Sequence, residues 1–140
     1  MRRIEDLLEE RLEARGYRVT PPRRAVLKAI AGRQGHFTVE EICRQARGVG
    51  RATVFRTMRL LVELEMVCRV LLESGNLHYR LSHREHHHHL ICIGCGNVRD
   101  FSNGSLESVV KDLVEPENFQ IAGHWLEVYG RCGDCHTAGV

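Results

Sequence analysis

From Ile4 to Met66 the apolar side chains recur every three or four positions, and from Val67 to Leu81 they alternate, so the period changes from helix to strand. Ile4, Leu7, Leu8 and Leu12 mark one face of a helix over residues 2–15 that Gly16 stops. Thr20-Pro21-Pro22 opens a second helix, with threonine as N-cap and proline in the first turn; its face is Ala25, Val26, Ala29 and Ile30, and it ends at Gly32. Thr38 and Glu41 have the spacing of a capping box for a short third helix, which fades into Arg47-Gly48-Val49-Gly50. Residues 51–66 form a longer helix that can bury Val54, Phe55, Met58, Leu61, Val62 and Leu64. Strands over 67–72 and 77–81 then flank the turn residues Glu73-Ser74-Gly75-Asn76. Helices followed by such a hairpin predict a winged helix-turn-helix; the competing reading is a helical bundle with an unrelated hairpin.

Beyond a linker near residues 82–85 the pattern predicts strands over 86–92 and 97–101, a helix over 105–114 that stops before Pro116, and a strand-like stretch over 119–129. The predicted fold class is therefore α+β: a winged helix-turn-helix over residues 1–83 and a small α/β domain over residues 84–140.

Charge sharpens that division. The net charge is only +2, but residues 1–83 hold 16 Lys and Arg against 10 Asp and Glu, and residues 84–140 hold 4 against 8. Eight of the nine histidines lie from His78 onward. The first part is suited to a polyanion and the second to cations. The longest apolar stretches fall far short of the roughly 20 residues of a membrane span. The opening Met1-Arg-Arg-Ile-Glu-Asp is charged and lacks the apolar run of a signal peptide. A cytoplasmic location without membrane attachment is the expectation, and six cysteines there point to metal or redox chemistry ahead of disulfides.

The candidate chemistry is dense between His83 and Cys95. Five histidines and one Cys-x-x-Cys lie within thirteen residues, and a second Cys-x-x-Cys follows at Cys132 and Cys135. Cys92, Cys95, Cys132 and Cys135, with 36 residues between the pairs, have the pattern of a tetrahedral four-thiolate Zn2+ site. Two dithiol redox pairs or a disulfide pairing are the alternatives. Along a strand, alternate side chains share a face, so His86 and His88 point one way and His87 and His89 the other. One histidine run can then serve two metal sites, with Asp100 and Glu107 as nearby carboxylates.

In these residues the chain resembles the ferric uptake regulator (Fur) family of metal-dependent bacterial repressors. The resemblance runs from Arg18-Val-Thr-Pro-Pro-Arg23 to Cys135. It rests on Ala52-Thr53-Val54-Phe55-Arg56-Thr57, on His86–Cys95 followed by Gly96-x-Val98, and on His124-x4-Tyr129-Gly130-x-Cys132. It implies a homodimer with an N-terminal reader of double-stranded operator DNA and a C-terminal dimerisation domain whose strands pair across the two-fold axis. It places the structural zinc on the four cysteines, a second divalent metal on His86, His88, Glu107 and His124, and the regulatory metal at a hinge on His36, His87, His89 and Asp100. The acidic residue that family members add from the second wing strand is replaced by Arg80. In the zinc-sensing (Zur-like) type the hinge shell draws on the first wing strand, where Cys68 stands; Cys68 with His87 and His89, and His36 as an optional fourth ligand, favours zinc, whereas the shell of His36, His87, His89 and Asp100 suits Fe2+ or Mn2+.

For DNA, the resemblance points to the 51–66 helix in the major groove, with Arg51, Thr53, Phe55, Arg56 and Thr57 as contacts and Arg18 and Arg23 on phosphate. The function implied is a metal-responsive repressor of metal-uptake or metal-homeostasis genes, with a peroxide-sensing regulator as the variant within the family. A zinc enzyme or zinc-ribbon adaptor is the reading from another class. The enzyme reading is weakened because no His-Glu-x-x-His helix or nucleophile motif accompanies the ligands.

Overall fold

The computed structural model describes residues 2–82 and 86–139, and the chain divides into two compact units, residues 1–85 and 86–140. The boundary expected between 83 and 84, the linker around it and His83 lie outside the described residues.

The first unit comprises α1 (Ile4–Ala14), α2 (Pro21–Ala31), β1 (His36–Phe37), α3 (Val39–Gln45), α4 (Arg51–Glu63), β2 (Val67–Leu71) and β3 (Leu77–Leu81). Its helix starts follow side-chain caps: Thr20 accepts the Arg23 amide at 3.4 Å and Thr38 accepts the Glu41 amide at 3.2 Å. The Glu41 carboxylate accepts the Thr38 hydroxyl at 3.3 Å and also holds Arg33 at 2.6 Å, so it braces the cap and a neighbouring side chain together. Leu12, Val26, Leu27, Ile30, Phe37, Ile42, Val54, Met58, Leu61 and Val67 converge in one core, each at most 2% exposed. Helix α4 ends sooner than expected. Glu65 takes a left-handed conformation (φ 58°) and the Met66 amide turns back to Leu61 O, so the helix stops at Glu63.

Strands β2 and β3 form the wing, with Gly75 (φ 87°) in its turn. The period-2 pattern did not foretell β1, two residues that pair with β3 and bring His36 opposite Arg80. The sheet order is β1-β3-β2.

The second unit contains β4 (His88–Cys92), β5 (Val98–Phe101), α5 (Gly104–Val114), a 3-10 turn (Glu115–Glu117), β6 (Glu127–Gly130) and α6 (Gly133–Ala138). Its sheet order is β5-β4-β6, with β5 antiparallel and β6 parallel to the central β4. Asn103 caps α5 through the Ser105 amide at 2.8 Å. The stretch expected as a strand over 119–129 is extended ladder only from Glu127. Asn118 adopts a left-handed turn (φ 52°), and Phe119 is left 66% exposed. No helix among the described residues is long and apolar enough to cross a membrane.

Replacing Ile42, fully buried in the first core, with alanine is expected to cost about 2–5 kcal/mol, and Thr38→Ala about 1 kcal/mol. Urea unfolding followed by circular dichroism measures both, and equal losses would contradict the packing described.

Candidate metal centres and nucleic-acid interface

Helix α4 buries Val54, Thr57, Met58, Leu60 and Leu61 and leaves Arg51, Ala52, Phe55, Arg56 and Arg59 on its outer face. Thr57, expected as a DNA contact, is 2% exposed and its hydroxyl donates to Thr53 O at 2.8 Å, so its side chain turns inward where it lines a depression beside α4. Arg56 donates to the Thr53 hydroxyl at 3.1 Å. An open depression beside α4 is lined by Tyr17, Arg18, Arg23, Thr53 and Arg56, where Arg23 donates to Arg18 O at 2.8 Å. Arg51 is clasped by both oxygens of Glu40, at 2.5 and 2.7 Å, with its guanidinium 5.5 Å from the Phe55 ring centre. That hydrogen-bonded pairing raises the Arg51 pKa and lowers that of Glu40. Arg59 and Glu40 were not foreseen in the sequence; Arg59 follows Phe55 and Arg56 at helical spacing, whereas Glu40 comes from α3.

In the wing sheet one cross-strand row reads Cys68, Arg80, His36. Arg80 therefore lies between the two residues expected as alternative ligands, which are two strands, or roughly 9–10 Å, apart. Cys68 donates to Arg80 O at 3.5 Å. His36 Nδ1 lies 2.8 Å from Nδ1 of His78, a histidine that sequence reasoning passed over. Burial, then the neighbouring His36, lowers the His78 pKa.

The second unit gathers its ligands in distinct clusters. Cys92 ends β4, Cys95 follows in a tight turn where Gly96 (φ 76°) returns its amide to Cys92 O, and Cys132 and Cys135 lie at the start of α6. All four sulfurs lie within 4.8 Å of one another. Cys95 and Cys132 Sγ are 3.8 Å apart. Zn–S bonds of about 2.3 Å at tetrahedral angles require about 3.8 Å between sulfurs, whereas a disulfide requires about 2.05 Å. The Cys132 and Cys95 amides donate to Cys92 Sγ and bring its thiol down to about 6. Cys135, facing Cys92 and Cys132, is pushed up to about 12.

On one face of β4, His86 and His124 Nε2 are 3.2 Å apart, and Glu107 reaches His88 at 2.7 Å, His86 at 3.1 Å and His124 at 3.2 Å. Burial would raise the Glu107 pKa, but the hydrogen bond from His88 and the charges of His86 and His124 outweigh it and leave the carboxyl below its usual range. On the other face, His87 and His89 Nε2 are 3.1 Å apart, with Asp100 Oδ1 at 4.0 and 3.8 Å from them. Two imidazoles sharing one ion with bonds of about 2.0–2.1 Å place their nitrogens roughly 3.3 Å apart. The alternation expected of the histidine run thus holds, although the ladder begins only at His88.

Residues 14–129 match the Ferric uptake regulator family. The chain belongs to that family. It is 34% identical to the ferric uptake regulation protein of Campylobacter jejuni, over 94% of this chain and 90% of that one. Among solved structures it is similar to the Vibrio cholerae ferric uptake regulator (30% identity, TM-score 0.59, 89% of this chain and 99% of that one). It is also similar to holo XcZur (27% identity, TM-score 0.79, 95% and 96%). The chain is accordingly a metal-responsive transcription regulator and not an enzyme.

Within the Fur frame, the structure brings together the four cysteines, the set His86, His88, Glu107 and His124, and, within the second unit, His87, His89 and Asp100. His36 and Cys68 belong to the first unit. Glu127 and Trp125 were missed. Glu127 accepts from His89 Nδ1 and from the Trp125 indole, each at 2.6 Å, and the only sequence signal was a carboxylate in an apolar strand.

Zinc entering the reduced cysteine cluster at pH 7 should release fewer than four protons, because Cys92, at about 6, is already a thiolate while Cys135, at about 12, must give up its proton. Acidification through 6 should then weaken retention further. Calorimetric titration in buffers of different ionisation enthalpy counts the protons, and four at pH 7 would contradict the assignment.

Proposed function

We propose that this chain is a cytoplasmic, homodimeric repressor of metal-homeostasis genes that grips operator DNA when a reversible divalent ion is bound. The observation that carries this reading is the separation of ligands by face of β4: a cysteine cluster suited to permanent zinc, and two histidine-carboxylate clusters suited to exchangeable ions. Zinc on Cys92, Cys95, Cys132 and Cys135 would be structural, since it ties the end of β4 to α6. His86, His88, Glu107 and His124 would hold a second ion. His87 and His89 would take the sensed ion, completed from the first unit by Cys68 or His36.

Zinc is the favoured sensed metal. The wing supplies Cys68 and no carboxylate at Arg80, and Asp100 Oδ1 stands 3.8–4.0 Å from the imidazole nitrogens, wider than the roughly 3.3 Å between two ligands of one tetrahedral ion. Asp100 is also the observation that favours Fe2+ or Mn2+, because a small shift makes the shell oxygen-rich. Peroxide sensitivity belongs to that iron reading.

Dimerisation is supported by apolar surface on the second unit: Leu113 is 71% exposed, Phe119 66% and Val109 52%. The DNA face would be Arg51, Thr53, Phe55, Arg56 and Arg59 on α4, with Arg18 and Arg23 on the backbone. Cation occupancy would raise the fraction of dimers whose two recognition helices fit successive major-groove turns.

His87→Ala is expected to abolish metal-dependent operator binding while the cysteine zinc stays at one per chain, whereas Cys135→Ser should lose that zinc and unfold the second unit. Metal analysis, circular dichroism and fluorescence anisotropy with zinc, iron(II) and manganese(II), the iron sample before and after peroxide, separate the readings; a retained metal response in His87→Ala would overturn the regulatory assignment. DNA affinity should fall steeply with salt, with a log–log slope near −0.9 per phosphate neutralised. Glu40→Gln, by releasing Arg51, should raise affinity and steepen that slope; an unchanged slope would mean Arg51 does not meet phosphate.

A further inference from the structure

His89 occupies the centre of the second sheet. In one row across three strands it has Asp100 of β5 on one side and Glu127 of β6 on the other. A buried imidazole must satisfy two different nitrogens, and its two neighbours divide them. Nε2 faces His87 Nε2 at 3.1 Å and Asp100 at 3.8 Å, while Nδ1 lies 2.6 Å from Glu127 Oε1. The same carboxylate oxygen receives the Trp125 indole N–H at 2.6 Å. An indole nitrogen is only a donor, so Oε1 serves as acceptor, and the proton between it and His89 sits on Nδ1. The tautomer this selects leaves the Nε2 lone pair directed at the candidate ion position.

Two further features separate this arrangement from an incidental contact. The Glu127 side chain is 7% exposed and its second oxygen, Oε2, is buried with no hydrogen-bond partner among the described residues. A carboxylate so enclosed gains from positive charge on the imidazole it holds, and a cation on Nε2 supplies it through the ring. On the opposite face no equivalent support is found among the described residues: His88 is buried, yet its Nδ1 has no hydrogen-bond partner among them. The two histidine clusters are thus built differently, one with a carboxylate backing its buried imidazole and one without.

We propose that Glu127 is the positioning residue of the regulatory metal site: anchored by Trp125, it fixes His89 in the Nδ1–H form and strengthens Nε2 as a ligand. This rests on the assignment of His89 to the sensed ion. Glu127 itself touches no metal, since its oxygen is on the side of the ring away from Nε2.

The test uses the full chain with zinc on the cysteines, ring-labelled histidine for long-range proton–nitrogen spectra, and zinc titration against a competing chelator. Wild-type metal-free protein should show His89 as Nδ1–H. Glu127→Ala should lose that preference and bind zinc at His87 and His89 about 10–100-fold more weakly, with the His86, His88, Glu107 and His124 cluster unchanged. Glu127→Gln keeps a carbonyl acceptor and should restore the tautomer while recovering only part of the affinity, because its amide carries no charge. If Glu127→Ala fails to fold, Glu127→Gln decides alone: wild-type affinity there overturns the proposal. His89→Ala separates the two levels of argument. If it binds and responds to zinc as wild type does, the regulatory assignment itself falls. If it loses the ion while Glu127→Ala matches wild-type affinity, only the role of Glu127 falls.

Discussion

Among its described residues the second unit buries just four apolar side chains, Ile91, Cys92, Val98 and Cys135, and two of these are cysteines. None of α5 is buried. So small a core does not hold a three-stranded sheet by hydrophobic burial alone, and segments of this size depend on metal, disulfide or association. In the proposed reading the zinc on the four cysteines would supply what this core lacks, at the sheet whose histidines would take the exchangeable ions. The first unit is the contrary case: its helices close around a continuous aliphatic core with no need of an ion.

The period of a β-strand turns a linear run of histidines into two sites. His88 and His89 are neighbours in sequence, yet one reaches Glu107 and the other reaches Glu127. Because β4 is the central strand, both faces and both edges are occupied, and each histidine meets residues brought from β5, β6 or α5. A one-residue slip in the register of β4 would exchange the two sets of ligands completely. The parallel β6 matters most in this respect, for it sets Glu127 level with His89 while its continuation delivers Cys132 to the end of the same strand.

What the sequence made legible was local. The threonine caps, the wing turn, the two Cys-x-x-Cys pairs and the alternation of His86 to His89 are all short-range patterns, and each has its counterpart in the structure. What it hid was lateral. The pairing of His36 with His78, the clasp of Glu40 on Arg51 and the row Asp100, His89, Glu127 depend on which strand or helix lies beside which, and residue spacing does not encode that. The inward turn of Thr57 was hidden for a related reason: in a helix whose faces are both partly polar, a threonine able to bond its own backbone can turn inward. The stretch before Glu127 alternates like a strand but joins the ladder only from Glu127, its contacts before that being isolated ones such as the His89 amide to Leu126 O, and alternation without a continuous partner does not make a ladder.

The clasp between Glu40 and Arg51 also bears on how such a regulator shares its time among sites. A carboxylate at the head of the recognition helix repels every phosphate backbone, whatever its sequence, and so lowers the grip on the vast excess of wrong DNA. In the proposed reading Arg51 would leave Glu40 for the DNA, and the guanidinium already held over Phe55 would be spared much of the search for a bound conformation. On that reading the exposed ion pair would serve discrimination: tenacity is given up at every site, and residence on a matching site would stand out against a quieter background.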